Sequence, residues 1–317
     1  FVMNNTDLLS VFQDHSLESC RGKKNLLIIG PNITYFYNQS LFLQAIEAFA
    51  SNINATVGYL TDFCNSTSGW VLGNVPHRLP GGEKIKTSGY NTSQMLEGNL
   101  STMVFFNLDP DNDFYNSSAL INALQKSSCN IFFTSFTTPI IEKYADFIIP
   151  ITTYAETDGS YINIEGKFQT FNKVIQADKF TFEGWQALNE LCKLNGFDNH
   201  SIASVRKDLV SLLTNVDFSK NKKIDYKTYP KNDKSMIHKN TLRHIYSTDQ
   251  IVRRAKSLNQ TNQAMNRQIY ISKDLVEDNP NQKTLSIKEN EKVFKISDFH
   301  VKDDLPRKTI VYSSSLI

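Results

Sequence analysis

Short apolar runs alternate with helix-like segments through the first 200 residues, and this alternation constrains the fold more than any other feature. Residues 26–30 (LLIIG) read as a buried strand ending in glycine, 40–50 as an amphipathic helix, and 56–60 as a second strand. Residues 65–93 are rich in Gly, Ser, Asn and Pro and read as a long loop. The runs 102–107, 130–135 and 147–151 are apolar enough to be strands buried on both faces. Between them, 117–125 reads as a helix capped by Ser117, and Thr138-Pro139 opens a short helix to about Tyr144. Helices follow over 182–194, stopped by Asn195-Gly196, and over 201–213. Such a succession predicts an α/β fold, a mostly parallel sheet with helices on both faces.

Composition then changes. Residues 217–243 are polar and Lys-rich and read as a linker or surface excursion. Beyond them, β-like runs at 268–271, 284–287, 292–296 and 309–312 predict a small β domain. The expected organisation is an α/β domain over 1–216 and a linker with a β-rich domain over 217–317.

Several function classes are excluded by what the chain lacks. A net charge of +2 over 317 residues, with Lys and Arg spread out, gives no footprint for nucleic acid. The apolar runs fall well short of the roughly 20 residues that span a bilayer, so no direct membrane insertion is expected. The start, FVMNNTDLLS, has no basic region and no long apolar region, so it is not read as a signal peptide. It begins on Phe, and a piece of a longer chain is expected. The four cysteines lie far apart, with no CxxC pair; mostly buried, reduced thiols are expected, with no metal site. The six histidines show no metal-binding spacing, and neither GxSxG nor GxxxxGK[ST] occurs. Gly30-Pro31-Asn32 follows a strand but is read as a simple turn, because a dinucleotide loop needs more glycines. Pro80-Gly81-Gly82 is read as a surface loop, or else as a turn that lets backbone approach a ligand.

Residues 150–171, PITTYAETDGSYINIEGKFQTF, stand out. Physically they read as a tight unit. Asp158-Gly159 supplies a turn with positive φ, 160–164 a short strand, Glu165-Gly166 a second turn and 167–171 the partner strand. Glu156 and Asp158 are read equally as paired carboxylates or as ordinary turn formers. No nucleophile, base and orienter assemble, so no catalytic, cofactor-binding or metal-ligating residue is assigned.

The pattern P-x3-Y-x-E-x-x-G-[ST]-Y-x-N-x-E-G-[KR]-x-Q in this block resembles the signature of the molybdopterin oxidoreductase superfamily. Gln94-Met95-Leu96 followed by MVFFNLDPDND, then YADFIIP at 144–150 and Glu183-Gly184-Trp185, are similar to further stretches of it. Residues 249–261 (DQIVRRAKSLNQT) resemble a stretch found in the large iron–sulphur subunit of the peripheral arm of bacterial NADH-quinone oxidoreductase (complex I). The resemblance covers nearly the whole chain and implies a Rossmann-like sheet. It implies a role in passing electrons from NADH toward quinone within the complex, with [2Fe-2S] and [4Fe-4S] clusters in the full-length subunit. It further implies that the partners are other peripheral-arm subunits and the cluster-bearing N-terminal part of the same subunit. The implied location is the cytoplasmic, inner face of a bacterial cell membrane, reached through the complex.

The cysteine clusters of that family, and the molybdenum ligand that working enzymes carry in an earlier domain, are absent from this sequence. This segment is therefore expected to be the C-terminal portion of that subunit, a structural module with no cofactor and no catalytic activity of its own. The alternative is a fragment of a pterin-dependent molybdenum oxidoreductase. In that case Gly30, Gly81, Gly82 and the 156–169 block would line a dinucleotide cofactor, with Lys167 as its phosphate partner.

Overall fold

The computed structural model describes residues 22, 24–31, 33, 39–114, 116–216, 237–242, 245–261, 268–276, 284–289 and 292–313. The chain packs as two compact units, Thr61–Lys222 and a second made of Phe1–Leu60 with Lys223–Ile317.

In the second unit, β1 (Asn25–Ile29) pairs in parallel with β2 (Ala55–Tyr59), in register Leu27↔Val57, and α1 (Gln39–Asn52) joins them. Phe42 and Ile46 of α1 pack on Leu27, Ile29 and Val57. Side chains alternate across a strand, so Leu26 and Ile28 point the other way. Both are exposed, where a strand buried on both faces was expected; α1 covers one face only.

The unit over 61–222 opens with α2 (Ser66–Val71), a tight turn at Pro80–Gly82 and α3 (Thr92–Glu97). The expected loop over 65–93 thus contains helical turns. Asn91 caps α3 by a reciprocal pair of hydrogen bonds with Gln94, an arrangement that replaces two missing helix partners.

Three strands follow, β3 (Thr102–Phe106), β4 (Cys129–Thr134) and β5 (Phe147–Pro150), separated by α4 (Ser117–Lys126) and α5 (Pro139–Tyr144). They form a parallel sheet in the order β3-β4-β5, with Val104↔Ile131 and Ile131↔Phe147 in register. Asn116, one residue before the expected Ser117, caps α4 by accepting from the Ala119 N–H. An Asn at this position has a side chain long enough to reach back to the first turn. Thr138 caps α5 and Pro139 takes its first position, as expected. After β3 the Asp109-Pro110-Asp111 turn closes on itself, with the Asp109 carboxylate accepting from the Asp111 N–H and from Asn112.

This sheet has a core on each face. Met103, Phe105 and Phe132 meet Leu120, Ala123 and Leu124 of α4 and Ile141 of α5. Phe105 and Phe132 stack with ring centroids 4.5 Å apart. The alternate residues Phe106, Phe133 and Ile149 meet Ala187 and Leu191 of α6 (Gly184–Leu194). Between β5 and α6 lies an antiparallel hairpin, β6 (Gly159–Ile162) and β7 (Phe168–Phe171), and α7 (Ile202–Thr214) follows α6.

The C-terminal part is β-rich. It begins with β8 (His238–Leu242), which lies within the stretch read as a linker; residues 217–236 and 243 of that stretch lie outside the described residues. After the short α8 (Gln250–Arg254) and α9 (Lys256–Asn259) come β9 (Ile269–Ser272), β10 (Thr284–Glu289), β11 (Lys292–Ser297), β12 (Phe299–Lys302) and β13 (Thr309–Ser313). One sheet runs β12-β9-β13-β8 and β10-β11 is an antiparallel hairpin. Ile271, Ile310 and Tyr312 pack with Leu285 of β10 beneath them. The fold is mixed α/β, with parallel sheets flanked by helices and a C-terminal β part.

Candidate functional site

The 150–171 block follows the last strand of the parallel sheet, and its polar residues are used in building it. Pro150 ends β5, and the buried Ile151 follows it. One carboxylate oxygen of Glu156 accepts from both the Thr153 N–H (3.0 Å) and the Thr153 hydroxyl (2.8 Å), closing one turn of 3-10 helix over Tyr154–Glu156. Asp158 Oδ1 accepts from the Lys173 N–H at 2.9 Å. Glu156 and Asp158 therefore each satisfy backbone donors and do not act as a pair.

Gly159 and Gly166 are both structural, for different reasons. Gly166 has φ 79° in the turn between β6 and β7 and so sits in the left-handed region. That turn is organised by Asn163, whose Oδ1 accepts from the Glu165 and Lys167 N–H groups at 3.0 and 2.9 Å. Gly159 does not have the positive φ expected of it. It is the first residue of β6, opposite Phe171, and a Cβ there would lie 2.2 Å from Cζ of the Phe171 ring. β6 also ends at Ile162, two residues earlier than expected, because Asn163 turns the chain. Ile162 is fully buried, and its N–H donates to Asn65 Oδ1 just before α2.

Two residues hold this hairpin from outside. Arg206 of α7 donates to the carbonyls of Gly159 (2.9 Å) and Phe171 (3.1 Å) and to the Ser160 hydroxyl (3.3 Å), gripping the hairpin at its open end. Glu183 precedes α6, and its side chain is only 10 % exposed. It accepts from Thr157 Oγ1 (3.0 Å), the Asp158 N–H (3.2 Å), Trp185 Nε1 (2.9 Å) and Lys173 Nζ (2.9 Å). Burial pushes its carboxyl up, but Lys173, Trp185, Asp158 and Thr157 together outweigh burial and hold it below its ordinary range. The hydrogen bond and charge of Glu183 raise Lys173 above its ordinary value, with Asp158 adding to them against some desolvation.

The glycines of the cofactor alternative belong to two different units, and each has open space beside it. Gly81 and Gly82 have positive φ in the Pro80–Gly82 turn; a Cβ on Gly82 would meet nothing within 4 Å and one on Gly81 only Leu212, at 3.5 Å. Gly30 lies in the other unit, and a Cβ there would also meet nothing. Lys167 and Gln169 make no side-chain hydrogen bond or ion pair among the described residues, whereas Glu156, Asp158 and Glu183 are occupied. Among the described residues no group of three or more His, Cys, Asp or Glu side chains could hold a metal ion. Cys64 and Cys192 are exposed and Cys129 is half-buried, against the expectation of buried thiols; Cys20 lies outside the described residues.

Sequence reasoning missed Glu183, Lys173 and Arg206 as supports of the hairpin. Glu183 stands in one of the stretches that carry the family resemblance, but nothing local shows that it is buried among four donors. Arg206 is one cation on a helix, and its partners lie 35 to 47 residues earlier.

Among the described residues, no helix is long and apolar enough to cross a membrane. A family model described as molybdopterin oxidoreductase matches residues 8–194, well over half of the chain. The match takes in the parallel sheet, the hairpin and α6 with Glu183, and the chain therefore belongs to the molybdopterin oxidoreductase family.

Proposed function

We propose that this chain is a cofactor-free structural module of the large iron–sulphur subunit of a respiratory NADH-quinone oxidoreductase. The observation that carries the structural part of this reading is the use of the signature block's own polar groups. Glu156, Asp158 and Asn163 accept backbone N–H groups, and Glu183 accepts four donors, so these groups brace a hairpin. The link to that iron–sulphur subunit rests on the sequence resemblance at 249–261, and the absence of clustered cysteines supports the cofactor-free part of the reading. In this reading electron transfer from NADH toward quinone belongs to the whole complex, and [2Fe-2S] and [4Fe-4S] clusters sit elsewhere in the full-length subunit. The partners are that cluster-bearing part and other peripheral-arm subunits, on the cytoplasmic face of a bacterial cell membrane.

A second reading, a fragment of a pterin-dependent molybdenum oxidoreductase, is favoured by one observation. Lys167 and Gln169 have side chains without partners among the described residues at the hairpin, where a phosphate would find a cation. Metal analysis, a visible spectrum and a thermal melt with added pterin dinucleotide separate the two. The structural reading expects a colourless protein, no stoichiometric molybdenum or iron, and an unchanged melting temperature. A ligand-dependent rise, as any native-state ligand must give, that is lost in Lys167→Ala would overturn it.

A further inference from the structure

The segment between β7 and α6, residues 172–182, crosses the surface without an apolar anchor at its middle. Val174 and Phe180 are each 83 % exposed and Ile175 is 56 % exposed, so burial contributes little to holding them down. Polar ties fix the path instead. The Lys173 N–H reaches Asp158, the Val174 and Ile175 N–H groups share the Ala155 carbonyl, and the Phe180 N–H reaches Asp178. At the far end Phe182 bridges to Ile151 beside β5.

One contact joins the two ends of this strap, from Lys173 Nζ to Glu183 Oε1 at 2.9 Å, across ten positions in sequence. The other oxygen of the same carboxylate takes Thr157, the Asp158 N–H and Trp185. Glu183 thus ties the start of the strap, the entry to β6 and the start of α6 to one buried point. Closing a loop at its ends removes conformational freedom from everything between them. We propose that Glu183 is a positioning residue, a latch whose pairing with Lys173 keeps the 172–182 strap closed independently of the core.

Amide hydrogen exchange on the full chain at neutral pH tests this. Lys173→Met is expected to speed exchange of the Val174, Ile175 and Phe180 amides at least about tenfold, the scale of one charge-assisted hydrogen bond. The Leu120 and Phe132 amides, in the core of the same unit, should not change. Lys173→Arg, which keeps the charge, should restore protection, and Glu183→Gln should open the strap as Lys173→Met does. If Glu183→Gln does not fold, the two Lys173 variants decide the question. Unchanged strap exchange in Lys173→Met, or an equal rise at Leu120 and Phe132, would overturn the latch.

Discussion

The missing side chain at position 159 lets the Phe171 ring lie across the open end of the hairpin, next to Tyr161 at 4.9 Å between centroids. Even a methyl group would meet that ring, so Gly159→Ala should cost about 1–3 kcal/mol as an overpacking change, seen as a lower melting temperature. Truncating the ring in Gly159→Ala/Phe171→Ala should remove most of the interaction between the two sites, which a backbone-strain explanation does not predict. Glu183 gives the second prediction, on pH. Its carboxyl is held low in the folded state, so its contribution is present above its unfolded value, about 4.3. That contribution is lost as pH falls through the folded value. Lys173 is raised, so the same pair persists below the lysine's unfolded value, about 10.4, and is lost as pH rises through the folded one. Urea midpoints should therefore fall more steeply below about pH 4 in the wild type than in Glu183→Gln. A parallel fall in both would remove Glu183 as the cause. At this scale the sequence announced that Gly159 and Gly166 mattered, but it assigned Gly159 the wrong cause. A glycine before a strand looks like a turn residue until the ring opposite it is placed.

Elements were the most legible part. Apolar runs of five or six residues became β3 and β4, although β3 is fully covered on one face only and leaves Val104 exposed. Phe132, fully buried and stacked on Phe105, tests the core they form: Phe132→Ala should cost about 3–5 kcal/mol, read from denaturant unfolding. The hairpin is a weaker element. Two short strands alone are marginal in water, and Arg206 reaches across to hold them. Arg206→Ala should speed amide exchange of Ser160 and Thr170 while leaving α4 unchanged; protection equal to wild type would mean that the hairpin holds itself. The short helices α2 and α3 were not legible, because six-residue helices within a Gly- and Pro-rich stretch carry too little periodicity to stand out.

For the whole molecule, the cores on both faces of the β3-β4-β5 sheet lie within residues 61–222. A chain cut to those residues should unfold cooperatively in a circular-dichroism melt; a non-cooperative melt would show that the unit needs the rest of the chain. The exposed Cys64 and Cys192 should react with a maleimide faster than the half-buried Cys129 in the native chain. The sequence by itself determined most of the strands and helices, the parallel pairing that their alternation implies, and the C-terminal β part. Each of these follows from local periodicity and from the chain's need to bury apolar runs. Only the tertiary structure decided that Glu183, Lys173 and Arg206 are the groups that brace the signature hairpin. It also decided that Gly159 answers to an aromatic ring, and that Cys64 and Cys192 face outward. Those properties depend on which atoms meet across ten to a hundred positions of chain and on how much water is left between them, and no local pattern encodes either.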